Sequence, residues 1–248
     1  MSALSALGFA FYAAVLLSAF AVRSAAGFGA GLIAIPMLAF ILPVSTAVSV
    51  ATVFTTLSSV QQVSREWRQI AWRQFAIIFL YSMVGIGLGL YFIQLLNENV
   101  MRYGLGIFMI LYSIYSLWAA GTPQLLPRRW HGVVGAVVGI VGGVLSALFG
   151  AGAGPVYVVY FDILRLQKAV FRATMSAVVL FGGVARMAGY ASYGFYEPST
   201  IVLLAIGIPF VIAGSWLGDR LVNRLSARSF SRLVAAVMLL SGVTLLVH

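Results

Sequence analysis

The chain has 248 residues, 62% of them hydrophobic and 8% charged, with a mean hydropathy of +1.05. Soluble domains carry roughly 25% charged residues, so the solvent for this chain is lipid. Having no Cys and two His, it excludes disulfides, thiol nucleophiles, cysteine metal sites and histidine-rich metal centres, and no metal or other cofactor is expected. The net charge of +10 suggests no nucleic-acid partner, because the Arg residues sit between apolar segments instead of forming one stripe.

Apolar stretches such as Phe75 to Tyr91 are apolar on every side, which fits membrane helices and not the alternating strands of a barrel. Charges, Gly clusters and Pro mark off segments at 5–25, 28–42, 45–63, 74–96 and 100–119, then at 131–149, 151–164, 169–192, 199–219 and 229–247. The first run lacks a basic leader and an Ala-x-Ala cleavage site, so it is expected to remain as the first helix. Between the two sets of five lies Gly121-Thr122-Pro123 to Pro127-Arg128-Arg129, a breaker-rich basic stretch that reads as a connecting loop.

The halves resemble each other. Gly27-Phe28-Gly29-Ala30-Gly31 precedes Gly150-Ala151-Gly152-Ala153-Gly154 by about 123 residues, and Gly85 and Gly89 precede Gly214 and Gly218 by about 129. This predicts one unit at 1–120, a loop at 121–130 and a second unit at 131–248.

Basic residues set the orientation. Arg65, Arg68 and Arg73; Arg128 and Arg129; Arg165, Lys168 and Arg172; and Arg220, Arg224, Arg228 and Arg232 mark four loops expected to be cytoplasmic. Pro43-Val44-Ser45, Asn97-Glu98-Asn99 and the Tyr193 to Pro198 stretch are expected outside, as are both termini. Equivalent loops then carry opposite sidedness, so the fold class expected is an all-α polytopic membrane protein of two inverted-topology repeats, the architecture of many secondary transporters. Segments 28–42 and 151–164 are too short for a full span at 1.5 Å per residue. They are expected to be glycine-broken or re-entrant helices near the midplane, which leaves between about six and ten crossings.

Each glycine cluster permits a sharp backbone turn with exposed N–H groups, and a half helix starting there favours an anion. Close helix packing is the competing explanation for one cluster alone; two at matching places favour a site. Arg186 lies deep in the eighth segment, far from the basic loops, where a charge in lipid needs a cavity or a partner. Arg23 either joins that site or anchors the end of the first helix. Gln62 stands about 124 residues before Arg186, either in a substrate pocket or in an interhelical hydrogen bond. Thr52 and Thr174 correspond similarly and could offer hydroxyls to an oxyanion or bond their own helix backbones. No carboxylate is clearly buried, which tilts the substrate towards an anion. Trp67, Trp72, Trp118 and Trp130 read as interfacial anchors, and Trp216 as a packing residue.

The stretches Ala26-Gly27-Phe28-Gly29-Ala30-Gly31 with Pro36, and Leu148-Phe149-Gly150-Ala151-Gly152-Ala153-Gly154-Pro155, resemble the paired glycine motifs of the TauE/SafE sulfite exporter family, across nearly the whole chain. The resemblance implies export of sulfite, sulfonates or related small anions across a bacterial inner membrane, with Gly27, Gly29, Gly31, Gly150, Gly152 and Gly154 as the motif residues. The reading is therefore a secondary transporter, not an enzyme, whose partners are a small anion (sulfite, sulfonate or carboxylate) and the lipid bilayer. Transport of organic carboxylates, or an anion channel on the same scaffold, are the alternatives. A homodimer is also open, since Gly104 and Gly106, or Gly139, Gly142 and Gly143, could pack between chains or within one.

Overall fold

The computed structural model describes residues 6–26, 29–118, 130–150, 153–221 and 227–247. Gly27, Gly152 and the expected connecting loop, apart from Trp130, lie outside the described residues. Those described form helices with no strand. The first five α-helices are α1 (Ala6–Ala26), α2 (Ala30–Leu38), α3 (Val44–Glu66), α4 (Trp72–Ile93) and α5 (Glu98–Trp118), with one 3₁₀ turn at Trp67–Gln69. The second five are α6 (His131–Phe149), α7 (Ala153–Ile163), α8 (Lys168–Ser192), α9 (Pro198–Leu221) and α10 (Ala227–Val247). The boundaries fall within a few residues of those read from charge and Gly/Pro punctuation.

Six helices, α1, α3, α4, α6, α8 and α9, are long and apolar enough to cross a membrane. α5 and α10 have 21 residues each, about 31 Å at 1.5 Å per residue. α2 and α7, with 9 and 11 residues, extend only about 13 and 16 Å and cannot span a hydrocarbon core of about 30 Å. α2 is buried on nearly every side, as an all-apolar helix inside a bundle must be.

α4 packs along α6 and α1 along α9; α3 meets α8, α5 meets α10, and α2 and α7 fold against α1 and α6 respectively. Exchanging the first five helices for the second five turns the α4–α6 contact into the α9–α1 contact and leaves α3–α8 and α5–α10 unchanged. The two long contacts use the same device. At Gly85 of α4 a Cβ would collide with the Ile140 carbonyl of α6, and at Gly218 of α9 it would collide with the Ala21 carbonyl of α1. Bare backbone lets the helices approach closely, which is where membrane helices find packing energy. Gly139, Gly142 and Gly143 face α4 and α7, and Gly106 faces α10, so these glycines pack within one chain.

Outward faces are apolar. On α4, Leu80, Val84 and Leu88 are exposed while Ile78, Ser82, Gly85 and Gly89 are buried, a lipid-facing stripe and a bundle-facing one on the same helix. Trp216, read from sequence as a packing residue, is instead 53% exposed, with the Arg220 guanidinium 3.6 Å from its ring centroid. A cation over an aromatic face at a helix end is an interfacial arrangement.

The two ends of the bundle differ. At the basic end, Arg172 of α8 pairs with Glu66 of α3, Ser24 of α1 bonds Asp219 of α9, and Thr174 Oγ1 accepts the Ala71 N–H at 3.0 Å. At the opposite end, Glu98 of α5 accepts the Val44 N–H at the start of α3, joining two connections that carry no basic side chain.

Candidate functional site

The site starts from two backbone turns. Gly29 has φ 99° and immediately precedes α2; Gly150 has φ 65° and ends α6 just before α7. Both angles lie in the left-handed region that side chains with a Cβ resist. Gly31 of α2 and Gly154 of α7 both line internal space, so the two short helices begin inside the bundle. Their first N–H groups have no intrahelical acceptor, and the positive end of each helix dipole lies at that terminus.

Both turns border one central cavity of ≈ 40 Å³. Gly29, Gly31, Gly150 and Gly154 line it, with Arg23 from α1, Arg186 from α8, and the hydroxyl residues Thr55, Ser82, Ser146 and Tyr157. Two arginines line it and, among the described residues, no Asp or Glu does. One water needs roughly 10–15 Å³ on this measure, so the space admits a body of about three waters.

Arg186 stands about 27 Å along α8 from its basic end and about 9 Å from its far end, by helical rise. It is only 6% exposed. Its Nε has no hydrogen-bond partner, and it makes no ion pair among the described residues. The titratable groups that interact with it are the neutral phenols of Tyr190, Tyr157 and Tyr196. Tyr190 is itself held by the Ala147 carbonyl, to which its hydroxyl donates at 2.6 Å. A buried cation without a carboxylate is costly, and an anion in the cavity would offset that cost.

Arg23 is 4% exposed and donates through Nη2 to Ser59 Oγ of α3 at 2.6 Å. Arg23 lines this cavity and also a polar pocket at the basic end. On the α4 side, Ser82 Oγ and the Tyr157 hydroxyl lie 2.8 Å apart. This bond uses one hydroxyl proton of two, leaving one O–H that the described residues do not engage.

The remaining sequence candidates lie elsewhere. Gln62 borders a separate polar vestibule at the basic end, together with Arg23, Arg65, Glu66, Arg172 and Asp219. Thr52 is buried on α3 beside Gly150 and is not part of the cavity lining. Thr174 donates to the Val170 carbonyl at 2.7 Å while accepting from Ala71, which ties α8 to the start of α4. Sequence reasoning missed Thr55, Ser82, Ser146 and Tyr157. A signal for Ser146 existed, because the offset of about 123 residues that relates the glycine clusters also pairs it with Arg23. Groups of three or more His, Asp or Glu suited to a metal are absent among the described residues.

The family model described as "Sulfite exporter TauE/SafE" matches residues 11–245. The chain is 25% identical over 229 residues to a "Probable sulfite/organosulfonate exporter TauE" of Cupriavidus necator, covering 90% of this chain and 88% of that protein. It is 25% identical over 260 residues to the "Probable membrane transporter protein YunE" of Bacillus subtilis, covering 91% and 92%. It is 24% identical over 184 residues to the "Probable inner membrane transporter protein TsaS" of Comamonas testosteroni, covering 73% and 75%. No solved structure matches. The match runs through both glycine turns, both arginines and all ten helices, and by it the chain belongs to the TauE/SafE sulfite exporter family of membrane transporters.

Proposed function

We propose that the protein exports a compact oxyanion, sulfite or the headgroup of an organosulfonate, by alternating access between inverted repeats at 1–120 and 131–248 joined by a cytoplasmic loop at 121–130. The observation that carries this reading is Arg186: a buried guanidinium whose Nε has no hydrogen-bond partner, in a cavity that two half-helix N-termini enter and that no carboxylate lines among the described residues. Converging N–H and O–H donors around a positive charge fit an acceptor-only ion with several oxygens. The cavity's volume favours a headgroup of few atoms, and the name of the Cupriavidus necator relative names the same substrate class.

The symmetric exchange of helix contacts supports two equivalent arrangements of the repeats, between which the bundle rocks. With the basic end in the cytoplasm of a bacterial inner membrane, both termini lie outside. An inside-negative potential of roughly 100 mV then favours expulsion of a monovalent anion by about 2.3 kcal/mol, so the potential alone can drive export.

The test is efflux of labelled sulfite from proteoliposomes holding the purified protein, with the potential imposed by a potassium gradient. Efflux is expected to rise with an inside-negative potential and to be inhibited by organosulfonates more strongly than by carboxylates of the same charge. Flux of carboxylates without flux of sulfite would overturn the assignment of substrate. A unitary conductance without exchange between the two faces would overturn the transporter mechanism in favour of a channel.

A further inference from the structure

Among the described residues, Arg23 is the one charged side chain that borders both the central cavity and the polar vestibule at the basic end. The vestibule has a volume of ≈ 240 Å³ and also carries Ser58, Gln61, Gln62, Arg65 and Arg172. α3 connects the two spaces. Thr55 lines the cavity, Ser59 holds Arg23, and Gln62 lines the vestibule. These positions, at i, i+4 and i+7, fall on one helix face and step about 6 Å and then about 4.5 Å towards the basic end. A polar track therefore runs along α3, interrupted where the Arg23 guanidinium reaches across to Ser59.

The choice of latch partner matters. A carboxylate opposite Arg23 would neutralise it and bind it tightly, whereas a serine hydroxyl leaves the charge uncompensated and makes one bond. An oxyanion arriving from the vestibule offers the guanidinium a charge-assisted and bidentate alternative, while a cation meets only repulsion. Two carboxylates line the vestibule among the described residues, and neither bonds Arg23: Glu66 pairs with Arg172, and Asp219 accepts a hydrogen bond from Ser24. We propose that Arg23 is the filter at the basic end of the pathway, which exchanges its bond to Ser59 for the passing anion and hands that anion on towards Arg186. The identity of the anion rests on the function proposed above; the path and its charge preference do not.

The chain has no native Cys, so single-cysteine variants need no background removed. Ser146→Cys places a thiol in the cavity and Gln61→Cys places one in the vestibule. In inside-out membrane vesicles, anionic and cationic membrane-impermeant thiosulfonate reagents are added from the basic side, and the labelling rates are compared. The filter predicts that Gln61→Cys reacts comparably with both, that Ser146→Cys prefers the anionic reagent by about tenfold or more, and that adding Arg23→Gln abolishes the preference. If Arg23→Gln does not insert into the membrane, Ser59→Ala serves instead: loosening the latch should raise the anionic rate several-fold and keep the preference. A thiol at 146 that reacts with neither reagent in any background, a preference unchanged by Arg23→Gln, or an anionic rate unchanged by Ser59→Ala would each overturn the proposal. Because the readout contains no sulfite, its failure is distinct from failure of the substrate assignment.

Discussion

At the scale of single residues the site is defined by incomplete satisfaction. Buried polar groups in proteins are nearly always paired, and the hydroxyls of Thr55 and Ser146 obey the rule by bonding carbonyls of their own helices. Arg186 breaks it at Nε, and the Ser82–Tyr157 pair keeps one proton unengaged. That spare proton gives a prediction. Replacing both partners, Ser82→Ala with Tyr157→Phe, removes that donor whichever hydroxyl carries it, and a hydrogen bond to a charged ligand is worth about 1.5–3 kcal/mol. The half-saturating concentration for sulfite in proteoliposome flux should therefore rise by about tenfold or more, with the protein still folded. An unchanged value would show that the pair only ties α7 to α4. Arg186 was legible in the sequence because a charge 18 residues into an apolar helix has no interfacial explanation. Tyr157 was not, since a tyrosine in a membrane protein reads as an interfacial or packing residue until the fold sets it against Ser82.

At the scale of helices, the sequence carried the boundaries and withheld the neighbours. The glycines at 29 and 150, the prolines at 43 and 198 and the basic loops mark helix ends, because such residues cost most inside a helix, whereas Pro36, Pro209 and the glycines at 139, 142 and 143 are held inside helices. The end markers also fix α2 and α7 as half helices, by length alone. Which helices pack together is decided by small residues on opposing faces, and a glycine looks the same whether it meets a backbone, a lipid tail or nothing. α4 contains two of these cases. Gly85 abuts the Ile140 carbonyl, whereas two positions on, Gly87 has nothing within 4 Å. Gly85→Ala should therefore force α4 and α6 apart and cost on the order of 3 kcal/mol or more, the upper range for overpacking against atoms that cannot move. Gly87→Ala should stabilise by about 0.5–1 kcal/mol through helix propensity. Midpoints of thermal unfolding in detergent would separate the two, and equal effects would contradict the α4–α6 packing described.

At the scale of the whole molecule, the bundle brings a positive potential to a place where lipid would ordinarily exclude it. Two arginines and two helix N-termini at the cavity wall concentrate that potential around a space a few waters wide. Regular packing of α4 on α6 and α1 on α9 holds the walls while the short helices supply the turns. Such an arrangement trades stability for binding, so the trade should be measurable. A purified protein whose cavity binds sulfite should gain about 2.7 kcal/mol of stability at a hundred times the dissociation constant, read as a rise in unfolding temperature. The most direct test compares that rise in the natural protein and in Arg186→Met. The account predicts that the natural protein is stabilised by sulfite, while the variant is as stable or more stable without sulfite, because an unpaired buried charge has been replaced by an apolar chain, and gains nothing when sulfite is added. A variant that is markedly less stable without sulfite, yet keeps the full sulfite-induced rise, would contradict it, and would make Arg186 a structural residue with the anion bound elsewhere.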